Sequence, residues 1–141
     1  MKLILTDKDV ERLVYNAFVD GGLTEFGHSD IELKFFNGDY EKAKNILKAD
    51  TSRTDTICYE DVLVQLFRDG KLVFIDHNDG KKYEFTPAFV TANLNEVLAS
   101  ETPNEQAMDN VLESLKEDGD ADAWTHYNVL QFAIYKELVY G

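Results

Sequence analysis

The stretch from Asp55 to Leu98 punctuates itself so tightly that it decides the fold class of the whole chain. Tyr59, Val62, Leu63, Leu66 and Phe67 fall at i, i+3, i+4, i+7 and i+8, the stripe of one helical face. Gly70 stands where a left-handed residue ends a helix. Leu72-Val73-Phe74-Ile75 and Lys82-Tyr83-Glu84-Phe85 follow at once, two β-prone runs around an Asp79-Gly80 turn, which together read as a hairpin. Thr86-Pro87 then supplies an N-cap and a proline at the first helical position, opening a helix to about residue 99 with Phe89, Val90, Leu94, Val97 and Leu98 inward. A local hairpin between helices, with no repeating strand–helix crossover, indicates α+β rather than a doubly wound sheet.

The flanks carry the same kinds of signal. Thr6 and Asp9 form a capping-box pattern ahead of Val10, Leu13, Val14, Ala17 and Phe18, which predicts a first helix over 6–19 stopped by Gly21-Gly22. Ile31, Leu33 and Phe35 alternate with Glu32 and Lys34, a strand with one wet face ending at Asn37-Gly38. A short helix over 39–49 would bury Tyr40, Ala43, Ile46 and Leu47. The polar segment 49–55 reads as a loop and the best candidate for a mobile one, with Asp55 or Thr56 capping the third helix. Thr102-Pro103 with Glu105 predicts a fifth helix over 103–117, burying Met108, Val111, Leu112 and Leu115. Asp118-Gly119-Asp120 breaks the chain, Asp120 caps a last helix, and apolar coverage from Trp124 to Tyr140 implies packing on more than one side. The expected architecture is one domain over 1–141, about six helices packed around a small antiparallel sheet that includes a hairpin near 71–86.

Charge excludes several functions. The 141 residues are 44% apolar, enough for a core without a disulfide or metal staple, and 14 basic against 27 acidic side chains leave a net charge of −13. No cluster of Lys and Arg exists to neutralise phosphates, so direct nucleic-acid binding and an anionic membrane surface are not expected. No apolar run approaches the roughly 20 residues of a membrane span. Cys58 is the lone cysteine and there are three histidines, too few for a structural zinc site. The N-terminus turns polar too soon for a signal peptide, so the expected location is cytoplasmic. No glycine-rich phosphate cradle is present and no cofactor is expected.

Candidate chemistry is sparse. Asp118, Asp120 and Asp122 occupy the first, third and fifth positions of a would-be EF-hand loop, but Ala123 stands where glycine is needed and Val129 where a bidentate Glu closes the site. Glu60 and Asp61 favour the positive end of their own helix. Cys58 lies near a helix start, which could lower its pKa, yet no nucleophile signature surrounds it; His28, His77 and His126 are expected at the surface or at caps. The sharpest pattern lies between Glu101 and Asp122, with eight carboxylates against Lys116 alone. Within it Glu105, Asp109, Glu113 and Glu117 recur every fourth residue, a line with steps of about 6 Å on one helical face. That spacing is close to that of phosphates along a DNA strand, so the ridge could imitate a nucleic-acid backbone toward a basic protein. A solvated amphipathic face is the plainer explanation of the same residues.

The run Ile57-Cys58-Tyr59-Glu60-Asp61-Val62-Leu63-Val64-Gln65-Leu66-Phe67-Arg68-Asp69-Gly70, continuing through Lys71-Leu72-Val73-Phe74-Ile75-Asp76 to the Thr86-Pro87 helix start, resembles a stretch found in small uncharacterised proteins of gut Bacteroidetes genomes and their phages or mobile elements. The resemblance implies a source and a shared helix–hairpin–helix unit, and it assigns no site residue. The leading expectation is a non-enzymatic, protein-binding accessory factor with a basic partner, of unknown oligomeric state. Two other classes stay open: a small enzyme built on Cys58 and a histidine brought near by folding, and a structural or assembly component.

Overall fold

The computed structural model describes residues 4–19, 31–99, 102, 104–116 and 122–140. Among them the chain forms α1 (Asp7–Val19), β1 (Ile31–Lys34), α2 (Asn37–Lys48), α3 (Tyr59–Arg68), β2 (Val73–Asp76), β3 (Lys82–Glu84), α4 (Pro87–Leu98), α5 (Glu105–Leu115) and α6 (Ala123–Tyr135). The strands make one antiparallel sheet in the order β1-β2-β3, so the fold is α+β with six helices.

Alternation along the strands sets the two faces of the sheet. Ile31 lies opposite Asp76, Leu33 opposite Phe74, and Phe74 opposite Tyr83, and this face turns inward. Glu32, Lys34, Val73, Ile75, Lys82 and Glu84 form the other. Phe85 joins the hairpin to α3, with its ring 4.8 Å from that of Phe74 and 5.2 Å from that of Phe67. α6 packs against α1, α4 and α5 and buries every residue from Val129 to Ile134, the wide apolar coverage its sequence implied.

Local chemistry explains most boundaries. Thr6 and Asp9 exchange backbone and side-chain hydrogen bonds at the start of α1 (3.0 and 3.1 Å), the reciprocal pattern of a capping box. Gly70 ends α3 at φ +70° and Gly80 turns the hairpin at φ +73°, conformations a side chain resists. Thr86 Oγ1 accepts from Phe89 N at 3.2 Å ahead of Pro87, as expected. Thr86→Ala should therefore lower stability by about 1 kcal/mol, read as a shift of the urea midpoint with an unchanged slope.

Several boundaries differ from expectation. Cys58, not Asp55 or Thr56, caps α3, because the Asp61 carboxylate accepts from Cys58 N at 2.8 Å and locks that turn. α2 begins at Asn37, so Asn37-Gly38 is its first turn and not a strand end. Asn104 caps α5 by accepting from Ala107 N at 3.0 Å, one step past the Thr102-Pro103 pair. Asp122 caps α6, and the expected cap Asp120 lies outside the described residues.

The largest departure is the end of α6, expected to reach Tyr140. It stops at Tyr135, with Lys136 in the left-handed region at φ 64°. The fully buried Gln131 explains this. Its Oε1 accepts from Val139 N (2.8 Å) and Tyr140 N (2.7 Å), while its Nε2 donates to Tyr140 O (3.0 Å). A buried amide must satisfy its polar atoms, and here it does so by folding the tail back onto the helix.

Candidate functional site

Glu105, Asp109 and Glu113 all project from α5 away from the core, whose contacts with the helix run through Ala107, Val111 and Ser114. Glu105 and Asp109 are exposed; Glu113 is half-buried and pairs with Lys116 at 2.9 Å. The fourth member of the expected ridge, Glu117, lies outside the described residues, as do Asp118 and Asp120. Leu112, expected in the core, is 44% exposed. Its position explains why: it falls one turn from Asp109 and beside Glu113, on the outward edge of the stripe whose inner side is Ala107, Val111 and Ser114.

The start of α6 extends this surface. Thr125 lies beside Asp109, Asn110 and Glu113 in a shallow depression between the two helices. The Thr125 amide and hydroxyl both donate to Asp122 Oδ1, at 2.9 and 3.1 Å, and hold that carboxyl below its usual range. Asp122 thus keeps its charge beside the acidic face of α5. Trp124, also expected in the core, is 48% exposed. Asn128 Nδ2 donates to Asn110 Oδ1 at 3.3 Å, and Ser114 Oγ meets His126 Nδ1 at 3.0 Å within the core, so polar contacts pin the two helices in register.

Compared with known proteins, the chain matches no family model, no curated protein and no solved structure.

The residues of the Cys/His alternative are not brought together among the described residues. Cys58 is exposed and its Sγ lies 3.8 Å from Thr56 O. His77 meets Glu32 Oε2 at 2.6 Å across the sheet edge. His126, expected at the surface, is 1% exposed, because its ring points to α5 and Ser114. His28 lies outside the described residues. No group of three potential metal ligands gathers among the described residues, and no described helix is long and apolar enough to cross a membrane.

Sequence reasoning missed two arrangements. The first is Asp76, the last residue of β2. It is 3% exposed and accepts from Tyr135 Oη at 2.6 Å, Tyr140 Oη at 2.8 Å and Asn78 N at 2.9 Å. Burial alone would raise this carboxyl, but the two phenols and the Asn78 and Asp79 amides outweigh it and hold the group below its usual value. Burial, then the bond to Asp76, pushes the Tyr135 phenol far up, so it stays a donor. The second is a cleft between α1 and α3 that collects every arginine of the chain, at positions that share no sequence spacing.

Proposed function

We propose that this chain is a protein-binding factor, non-enzymatic in its action, which engages a basic partner through the outer face of α5; an accessory role in a phage or mobile element belongs to the same proposal. The observation that carries it is Leu112, a large apolar side chain left 44% exposed beside Asp109 and Glu113. Interfaces combine a small apolar centre with a polar rim, and Leu112 flanked by Asp109 and Glu113 supplies that combination. Electrostatics favours the same face. Lysines are concentrated on α2 and around the outer groove of the sheet, while Lys116 is the one basic residue in 104–116.

Nucleic-acid mimicry is the narrower form of the proposal. A mimic needs a long uninterrupted row, and the Glu113–Lys116 pair interrupts this one after Glu105 and Asp109. Compact docking of a basic protein surface needs no such row.

Affinity capture of a partner from lysate, repeated with a Glu105→Lys/Asp109→Lys double variant and with Leu112→Ser, tests the proposal. Reversing two rim charges should weaken a captured partner about tenfold or more. Raising salt from ~0.1 M to ~1 M, which shortens the screening length from about 10 Å to about 3 Å, should release it. A partner retained equally by wild type and both variants would contradict the assignment of α5.

A further inference from the structure

Arg12, Arg53 and Arg68 are the chain's three arginines, and all three line one cleft of about 550 Å³ between α1, α3 and the loop that precedes α3. We propose that this cleft is a binding site for a small phosphate monoester, with the phosphoryl group taken by the guanidinium groups. The volume falls in the range of small-molecule sites.

The present partner of Arg68 leaves its bidentate capacity unfilled. Arg68 directs Nε and Nη2 at a single oxygen, Oε1 of Glu11, and Nη1 at Gln65 Oε1 at 3.2 Å. A phosphoryl group offers separate oxygens to the parallel N–H bonds of a guanidinium, a better match than one shared oxygen. The Arg68–Glu11 pair sits at the surface, where such pairs contribute little, so exchanging it for a ligand costs little.

Arg53 lies deeper in the cleft. Its side chain is four-fifths buried, and Nη2 is held by Asp61 Oδ2 at 2.7 Å. Its buried Nε makes no hydrogen bond among the described residues but lies 3.3 Å from Asp55 Oδ1 as an ion pair. Two carboxylates, Asp61 and Asp55, thus hold the Arg53 guanidinium at the cleft wall and fix its orientation. Burial, then the Asp61 charge, holds the Tyr15 phenol above its usual value, so Tyr15 faces the cleft as a donor near neutral pH.

The carboxylates define the rest of the ligand. Lys8 and the arginines are balanced by Asp7, Asp9, Glu11 and Asp61, so the cleft carries no net charge in a chain of net −13. Screening over about 8 Å at physiological salt reduces the influence of the distant acidic residues and leaves the cleft's own donors to decide. Carboxylates beside arginines suit a monoester whose remainder presents hydroxyl or ammonium donors, and disfavour a bare polyanion.

Titration of the full chain with glycerol 3-phosphate, inorganic phosphate and succinate at matched ionic strength, followed by arginine Nε–Hε and backbone amide NMR, tests the site. Glycerol 3-phosphate should give saturable shifts at Arg53, Arg68 and Tyr15 with a Kd of about 1 mM or tighter. Arg12→Gln and Arg68→Gln should each weaken it about tenfold or more, and Lys42→Gln on α2 should leave it unchanged. Both arginines are exposed, so the variants should fold, and the amide spectra verify that; if one does not, the other decides. The proposal is overturned if no saturation is reached by ~20 mM, well beyond the affinity charge-assisted bonds should give. Equal binding of succinate, or binding unchanged in a folded variant, would overturn it too.

Discussion

Phe85→Ala is expected to cost about 3–5 kcal/mol, the range for removing a large buried aromatic, and to lower the thermal midpoint by roughly 10–15 °C in a chain of this size. Phe85 is fully buried and its ring touches those of Phe67 on α3 and Phe74 on β2, so the hairpin meets the helical layer through it. The cavity left by alanine would be walled by two aromatic rings that cannot collapse into it without moving either the helix or the strand. Tyr59→Ala is the control. Tyr59 sits on the same stripe of α3 as Phe67 but is 52% exposed, packed on Phe35 and Tyr40, and should cost about 1 kcal/mol. Urea unfolding of both variants at one pH checks the contrast; equal losses would mean the hairpin does not dock through Phe85.

Asp76→Asn is the second large effect, a loss of roughly 2–4 kcal/mol near pH 7, because charge-assisted bonds from two phenols are weakened together and a buried donor loses its acceptor. Its pH dependence has a definite sign. The folded carboxyl is held below its unfolded value of about 3.9, so the stability it provides is complete above that pH and disappears as the pH falls through the lower, folded value. The wild-type advantage over Asp76→Asn should be full near pH 7, begin to shrink below about pH 4, and go on shrinking as the pH falls through the lower, folded value. Unfolding free energies of the two proteins at matched pH provide the test. A constant difference across that window would show that the ionised Asp76 is not the acceptor that holds Tyr135 and Tyr140.

These two residues mark the boundary of what sequence pattern reveals. The hairpin that carries Phe85 is legible: a β-prone run, an Asp-Gly turn and a Thr-Pro start mark it by local rules alone. Asp76 is not. Its role depends on Tyr135 and Tyr140, 59 and 64 positions away, and on a tail turned back by Gln131, and no local periodicity encodes such a meeting. The α5 face falls between. The four-residue recurrence of Glu105, Asp109, Glu113 and Glu117 places the three described members on one helical face, yet the apolar pattern assigns Leu112 to the core because apolar residues default to the inside. Only the packing of Ala107, Val111 and Ser114 against α1 and α6 shows that the buried stripe is narrower than the apolar pattern. The arginine cleft was invisible for the same reason as Asp76: its members come from two helices and a loop, and proximity in space leaves no trace in spacing.

Amide NMR of the isotope-labelled chain, titrated with a short lysine-rich peptide containing one aromatic residue, tests the role of α5 most directly. Perturbations concentrated on 104–116 and 122–125, including Leu112, and lost on charge reversal at Glu105 and Asp109, are the predicted result. Perturbations spread evenly over all the acidic surfaces, with α5 no more affected than the exposed carboxylates of α1 or the hairpin, would contradict it and leave only the general attraction of a chain with a net charge of −13 for any polycation.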